Sequence, residues 1–299
     1  VTTPTPREVF RHHSRTFSAA ASWLAPQTHD AIAMVYVFCR TVDDLADDHA
    51  DGPALDRLAR ELRGQVPPSP LVEGMLALQA HGVPMEPVAQ LVEGCRSDLG
   101  TVRVADEAAL VRYAYLVAGT VGRITSPLLG VTDPRAVPFS VDLGVGMQLS
   151  NIARDVGEDA ARGRVYLPAT WLAEAGLSAE DVLQGGRDDT VALVVQRLLA
   201  LADRYYASAD LGLRYIPLRA RIAVAMASRR YQAIGHLVRS RGAAAVRDRS
   251  VLGFLGRTRF LVSAPWVAAW TPPEAPHDPA LHLHLSELLE AGVTERRAS

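Results

Sequence analysis

Apolar residues return every three or four positions along most of this chain, the spacing that lines one side of an α-helix. Nowhere does alternation with a period of two run long enough to predict a sheet. The pattern predicts helices over residues 31–47, 53–64, 71–82, 88–99, 107–129, 140–161, 189–213, 218–241 and 250–270, with a shorter one starting at Ser178. Pro67-Pro68-Ser69-Pro70 separates the second from the third, and Gly242 closes the helix over 218–241. Gly119, Gly122 and Pro127 interrupt the apolar stretch 107–129, which predicts close helix packing or a kink there. Residues 162–168 read as a loop, and the stretch after Pro272-Pro273 is polar. A single all-α domain over residues 1–272 with a polar C-terminal tail over 273–299 is the simplest organisation.

Two of these helices turn acidic. One carries Asp43-Asp44-Leu45-Ala46-Asp47-Asp48, the other Asn151-Ile152-Ala153-Arg154-Asp155-Val156-Gly157-Glu158-Asp159. Asp43 and Asp47 are four residues apart, as are Asp155 and Asp159, so each pair stacks on one helix face. Like charges at that spacing cost a helix about 0.2–0.5 kcal/mol per pair. A solvated acidic surface accounts for one such cluster. Two, each following an apolar run, suit hard divalent cations, because Mg²⁺ is usually held by one or two carboxylates plus substrate phosphate oxygens. The expectation is a metal-bridged diphosphate between two acidic helices.

Composition narrows the class without choosing an activity. With 299 residues, 48% hydrophobic content and a formal charge of −2, the chain reads as soluble and globular, with no general pull toward nucleic acid. All 31 basic residues are Arg. That total reflects a compositional preference, so position must decide which Arg matter. Cys39 and Cys95 are too few for a disulfide framework or a cysteine-based zinc site, and Cys39 reads as a small buried hydrophobe. A cytoplasmic protein is expected. No apolar stretch reaches the ~20 residues of a membrane span, and peripheral contact with the inner face of the membrane stays open. His277, His282 and His284 have no evident ligand partner and read as solvent-exposed tail residues.

The motifs add a resemblance. Ser14-Arg15-Thr16-Phe17-Ser18, Cys39-Arg40-Thr41-Val42-Asp43-Asp44-Leu45-Ala46-Asp47, Tyr113 with Val117-Ala118-Gly119-Thr120-Val121-Gly122, Gln148 through Asp159, and Arg162-Gly163-Arg164-Val165-Tyr166-Leu167-Pro168 occur in this order. Through them, residues 14–168 resemble the squalene/phytoene synthase family. The resemblance implies an all-α isoprenoid (terpenoid) synthase bundle around a central apolar cavity. It also implies an Mg²⁺-dependent prenyltransferase, with Mn²⁺ able to substitute, that joins two prenyl diphosphates head to head through a cyclopropyl diphosphate. Ionising an allylic diphosphate needs positive charge on the leaving group and a dry pocket for the carbocation, which two acidic faces with apolar extensions supply.

Carried over by position, Asp43 and Asp47 resemble the first metal-binding pair, and Asn151, Asp155 and Asp159 the second. Gln148 lies one turn before Asn151. Arg40 binds phosphate oxygens or pairs with Asp44. Ser14 and Thr16 resemble diphosphate contacts, with Phe17 on the pocket wall. Val117, Val121 and Gly122 belong to the substrate-binding segment, and Tyr231 matches a tyrosine on a late helix. Tyr113 contacts the diphosphate or the cation, or is a buried tyrosine with a satisfied hydroxyl. Tyr166 belongs to a flap or to the core, and Arg154 to a structural pair or to the substrate. Either Arg247 or Arg249 fills a late arginine position, with Arg249 preferred.

Small residues, Ala19 to Ala21 and Ala33, leave room for a long prenyl chain. Ala21 and Ala33 thus point to two geranylgeranyl diphosphates and to phytoene, in carotenoid biosynthesis, without NADPH. The alternatives are a farnesyl diphosphate-using squalene, dehydrosqualene or hydroxysqualene synthase and, from another class, a non-catalytic helical assembly factor of the same fold. The sequence is silent on oligomeric state.

Overall fold

A computed structural model describes residues 5–13, 24–47, 50–250 and 270–294 of the protein. Ser14, Thr16, Phe17, Ala21 and the helix expected after Ser250 lie outside the described residues. The order of helices is α1 Pro6–His13, α2 Pro26–Asp47, α3 Gly52–Leu62, α4 Pro70–Ala77, α5 Glu86–Arg96, α6 Glu107–Ala114, α7 Thr120–Leu128, α8 Ala136–Ala161, α9 Ala169–Glu174, α10 Ala179–Gln184, α11 Asp188–Gly212, α12 Leu218–Arg241, the single turn α13 Ala244–Arg247, and α14 Ser286–Thr294. Among the described residues there is no strand, only an isolated parallel bridge between Arg103 and Val165. Nor is any described helix long and apolar enough to cross a membrane.

Local chemistry explains most of the boundaries. α2 starts at Pro26, five residues before the predicted start, because the fixed φ of proline suits the first turn and its missing N–H is not needed there. Ser178 caps α10 through a reciprocal capping box with Asp181. α12 stops at Gly242, whose φ of 54° places it where a side chain would be strained. The apolar stretch 107–129 is helical throughout but interrupted by a π turn over Tyr115–Gly119, between α6 and α7.

α8 runs through the middle of the bundle and packs against α7, α11, α12 and the π turn. Leu149, Ile152 and Val156 of α8 join Leu198, Leu199 and Tyr205 of α11 in one apolar core. A second core gathers Phe38 and Val42 of α2 with Leu55, Met75, Leu91 and Ile124. The acidic ends of α2 and α8 therefore grow out of different cores. Two glycines let backbone rest on backbone between them. A Cβ on Gly122 would lie 2.1 Å from the Ser140 carbonyl oxygen, and one on Gly144 would lie 2.2 Å from that of Ala118.

Ala33, expected beside the prenyl chain, is fully buried against Phe10 of α1, with Ile32 and Tyr36 beside it. The C-terminal segment is docked rather than free. Tyr205 donates to the Leu281 carbonyl (2.9 Å), Gln90 donates to that of Leu288 (2.9 Å), and Leu281 and Leu285 are buried in the α8–α11 core. The expectation of solvent-exposed tail histidines is corrected for two of the three. His277 and His282 turn onto Asp142 of α8, whereas His284 is exposed. Nothing local in the sequence marks that partner, which is 135 residues from His277.

Gly122→Val or Gly144→Val would push α7 or the π turn off α8, and each is expected to lower unfolding free energy by about 1–3 kcal/mol. Urea unfolding checks this; unchanged midpoints would show that the helices separate without cost.

Candidate active site

The end of α2 presents Arg40, Asp43, Asp44 and Asp47. Arg40 is ion-paired with Asp44 one turn on (Nε to Oδ2, 3.0 Å), the structural one of its two expected roles. The Cys95 thiol at the end of α5 donates to Asp43 (3.3 Å). Although Asp43 reaches solvent in the cleft, burial by the surrounding protein pushes its carboxyl up to about 6. The charges of Asp47, Asp98 and Asp44 add to this, and the thiol opposes it.

Asp98 is the functional candidate that motif reasoning missed. It follows α5, is 7% exposed, and accepts from the hydroxyls of Tyr113 (2.9 Å) and Tyr166 (2.6 Å), whose rings stack with centroids 4.8 Å apart. Burial raises Asp98 to about 6 against the opposing hydrogen bonds of the two tyrosines. It has no acidic neighbour one helical turn away to draw attention. The available signal was indirect, since two buried tyrosines in the motifs need an acceptor. Tyr166 is held in the core, because the loop carrying it is pinned beside residues 102–104 by backbone bonds from Val165 and Val104.

Opposite lies the end of α8, where Gln148, Asn151, Asp155 and Asp159 succeed one another at helical spacing. Asn151 donates to Gln148 (3.3 Å), while its own Oδ1 is buried without a hydrogen-bond donor among the described residues. The Tyr231 hydroxyl of α12 lies against Asn151. Arg154 donates to Asp155 (2.7 Å), so the structural pair expected for it is present. Arg249 also reaches Asp155 (3.2 Å) and Glu158 (3.0 Å), whereas Arg247 pairs with Asp188. Gly157 makes this approach available. A Cβ there would meet the Arg247 carbonyl oxygen at 2.6 Å, so only glycine lets the segment carrying Arg249 lie on α8.

Two arginines from the loop after α8 join the halves. Arg162 (3.2 Å) and the buried Arg164 both bind Asp47 of α2. Asp159 is pushed up to about 7, by burial first and then by the charges of Asp155, Asp47 and Asp98, against the pull of Arg164. Asp43, Asp47, Asp98, Asp155 and Asp159 thus share one electrostatic site. Its donors are hard oxygens, including the orphaned amide oxygen of Asn151, a set that fits a divalent cation of the Mg²⁺ type. Val117 and Val121 pack against the α2 core, and Gly122 lines a small apolar cavity between α7, α8, α11 and α12.

An all-α bundle with two facing acidic helices defines the class, that of the isoprenoid synthases. The squalene/phytoene synthase family model matches residues 10–258. The chain is 33% identical to a phytoene synthase of Pseudescherichia vulneris over 84% of its own length and 87% of that protein. It is 35% identical to a phytoene synthase of Thermus thermophilus over 91% and 94%. A dehydrosqualene synthase in complex with ligand superimposes with a TM-score of 0.79 at 24% identity, covering 89% of this chain and 96% of that one. The chain belongs to the squalene/phytoene synthase family, and it is an enzyme of the prenyltransferase type.

The raised Asp159 has a consequence for stability. A carboxyl whose folded pKa exceeds its unfolded value of about 4 stabilises the fold at low pH and loses that contribution as pH rises through about 7. In chelator-treated protein, Asp159→Asn is therefore expected to raise stability at pH 8 by on the order of 2 kcal/mol, after allowance for water in the cleft. The gain should fall to about a third of that at pH 5 and vanish only below about pH 4, and thermal unfolding at pH 8, 5 and 3.5 checks it; equal effects throughout would contradict the assigned repulsion.

Proposed function

We propose that the protein is a phytoene synthase, condensing two geranylgeranyl diphosphates head to head through a cyclopropyl diphosphate and releasing diphosphate. The observation that carries the reading is the facing of Asp43 and Asp47 by Asn151, Asp155 and Asp159 beside apolar space. The phytoene synthases among its relatives support the choice of substrate. Asp43, Asp47, Asn151, Asp155 and Asp159 would hold divalent cations, Mg²⁺ first and Mn²⁺ as a substitute. When bound, these supply positive charge to the departing diphosphate.

The chain's own groups do the rest. Arg162 and the buried Arg164 hold Asp47 in place; the exposed Arg162 carries N–H groups at the rim where diphosphate would lie, and Arg249 does so on the other side. Arg40 has its partner in Asp44 and would turn from it to reach a phosphate. Tyr113 and Tyr166 fix Asp98, so the acidic floor is positioned before substrate arrives. Breaking the allylic C–O bond leaves a carbocation, and the π electrons of the second prenyl chain form the new C–C bond. Loss of a proton closes the cyclopropane. Ionising that intermediate, rearranging it and losing a second proton gives a hydrocarbon with no hydride required. Apolar walls keep water from the cation meanwhile.

The prenyl tail has a candidate berth. A cavity of about 70 Å³ is lined by Gly122, Thr125, Ser140, Leu143, Ala209 and Val224, among others. Ser140 lies three turns before Asn151 on α8, about 16 Å along the axis. We take this cavity, with room for the end of a prenyl chain rather than the whole of it, as a second candidate beside Ala33 for the feature that measures chain length.

Purified protein given labelled geranylgeranyl diphosphate and Mg²⁺, without NADPH, is expected to yield a forty-carbon hydrocarbon. Farnesyl diphosphate as sole productive substrate would favour a squalene-type synthase, and product from neither would sink the enzymatic reading. Asp43→Asn and Asp155→Asn should each lower turnover at least about 100-fold with unchanged circular dichroism. Val224→Phe, which fills the cavity, should lower the preference for twenty- over fifteen-carbon substrate about tenfold; competition between the two diphosphates reads it, and an unchanged ratio would remove the cavity from chain-length selection.

A further inference from the structure

The buried carboxylate of Asp142 stands apart from the diphosphate site. It lies two and a half turns before Asn151 on α8, hence on the opposite face of that helix. The side chain is 0% exposed. His282 Nε2 meets one carboxylate oxygen at 2.8 Å, and His277 Nε2 meets the other at 2.8 Å. The Ser208 hydroxyl of α11 donates to the second oxygen. The two imidazoles are 12% and 10% exposed, with ring centroids 4.3 Å apart, and Phe139 meets the His277 ring edge-on.

A buried carboxylate needs a charge partner. Among the described ion pairs Asp142 has no arginine, in a chain that places arginines against many of its other acids. Two neutral imidazoles leave the negative charge in place, two protonated ones set like charges side by side, and one proton on the pair balances the charge as a hydrogen-bonded clamp. One divalent cation bound by all three groups balances it as well and uses both imidazole nitrogens and the carboxylate as ligands at once. The ligand atoms already lie within 4.8 Å of one another, and among the described residues no other trio of His, Cys, Asp or Glu side chains brings its ligand atoms so close. Two imidazole nitrogens and one carboxylate oxygen select a borderline cation, Zn²⁺ above all, over Mg²⁺ or Ca²⁺. Ser208 occupies the outer position that orients a ligating carboxylate.

We propose that Asp142, His277 and His282 form a second metal site, for a Zn²⁺-class ion, that clasps the C-terminal segment to the central helix. The clasp works with the Tyr205–Leu281 and Gln90–Leu288 bonds, which fix the same segment to α11 and α5. Water would complete the coordination shell. The role is structural, because the site faces away from the acidic cleft.

The test uses untagged full-length protein, stripped with chelator and titrated with Zn²⁺ against a chromophoric competitor in excess Mg²⁺. One tightly bound Zn²⁺ per chain is expected, with a rise in melting temperature that Mg²⁺ alone does not produce. Co²⁺ in its place should give the visible absorption of a four- or five-coordinate nitrogen–oxygen site. Asp142→Asn alters a fully buried group and risks the fold, so His277→Gln and His282→Gln carry the test. Each should weaken Zn²⁺ binding at least about 100-fold while leaving circular dichroism unchanged. Asp155→Asn, in the other site, should leave Zn²⁺ stoichiometry intact. Absence of tight Zn²⁺ binding in the parent chain, or parent-like affinity in both glutamine variants, overturns the proposal. So does a parent melting temperature indifferent to Zn²⁺ but lowered by both substitutions, which assigns the cluster to a shared-proton hydrogen-bonded clamp.

Discussion

Carboxylates that repel one another are held together across a half-buried cleft, and much of the bundle exists to keep them there. Asp43 and Asp47 come from one helix, Asp155 and Asp159 from another, and Asp98 from the end of a third. Burial is the largest cause of the raised pKa values at Asp43, Asp98 and Asp159, and the neighbouring charges add to it. A flexible chain would relieve this by moving the acids apart. Here the backbone contacts at Gly122, Gly144 and Gly157 leave little room for that.

Arginine shares the task by position rather than by number. Arg162 and Arg164 come directly after α8 yet bind Asp47 of α2, so the loop after one acidic helix ties down the other. Arg249 arrives from beyond α12 to bind Asp155 and Glu158. These pairs lower the repulsion while leaving the exposed Arg162 and Arg249 at the rim of the cleft. α8 thus bears two polar clusters on opposite faces, the acidic cleft at one end and the Asp142 trio nearer the other, with apolar core between.

Legibility tracked the distance over which each feature is encoded. The start of α10 at Ser178 and the end of α12 at Gly242 were readable because capping and left-handed backbone are local chemistry. The two acidic faces were readable because a four-residue spacing is itself a statement about a helix face. Asp98 was not, since its meaning comes from Tyr113 and Tyr166, which fold back onto it from elsewhere. Arg249 is preferred over Arg247 on position alone, and what separates the two is the neighbour each meets, Asp155 for Arg249 and Asp188 for Arg247. The tail histidines read as exposed because polar segments usually are.

By itself the sequence determined that the chain is all-helical, that it belongs to the squalene/phytoene synthase family, and which helix faces carry the paired carboxylates. Those properties reside in periodicity, caps and short ordered motifs, all written within a few turns of helix. Only the tertiary structure decided that Asp98 joins the acidic cleft, that Ala33 packs against Phe10, and that His277 and His282 close on Asp142. Each depends on residues far apart in the chain meeting in a buried place, and burial is a property of the packed bundle that no local stretch of sequence contains.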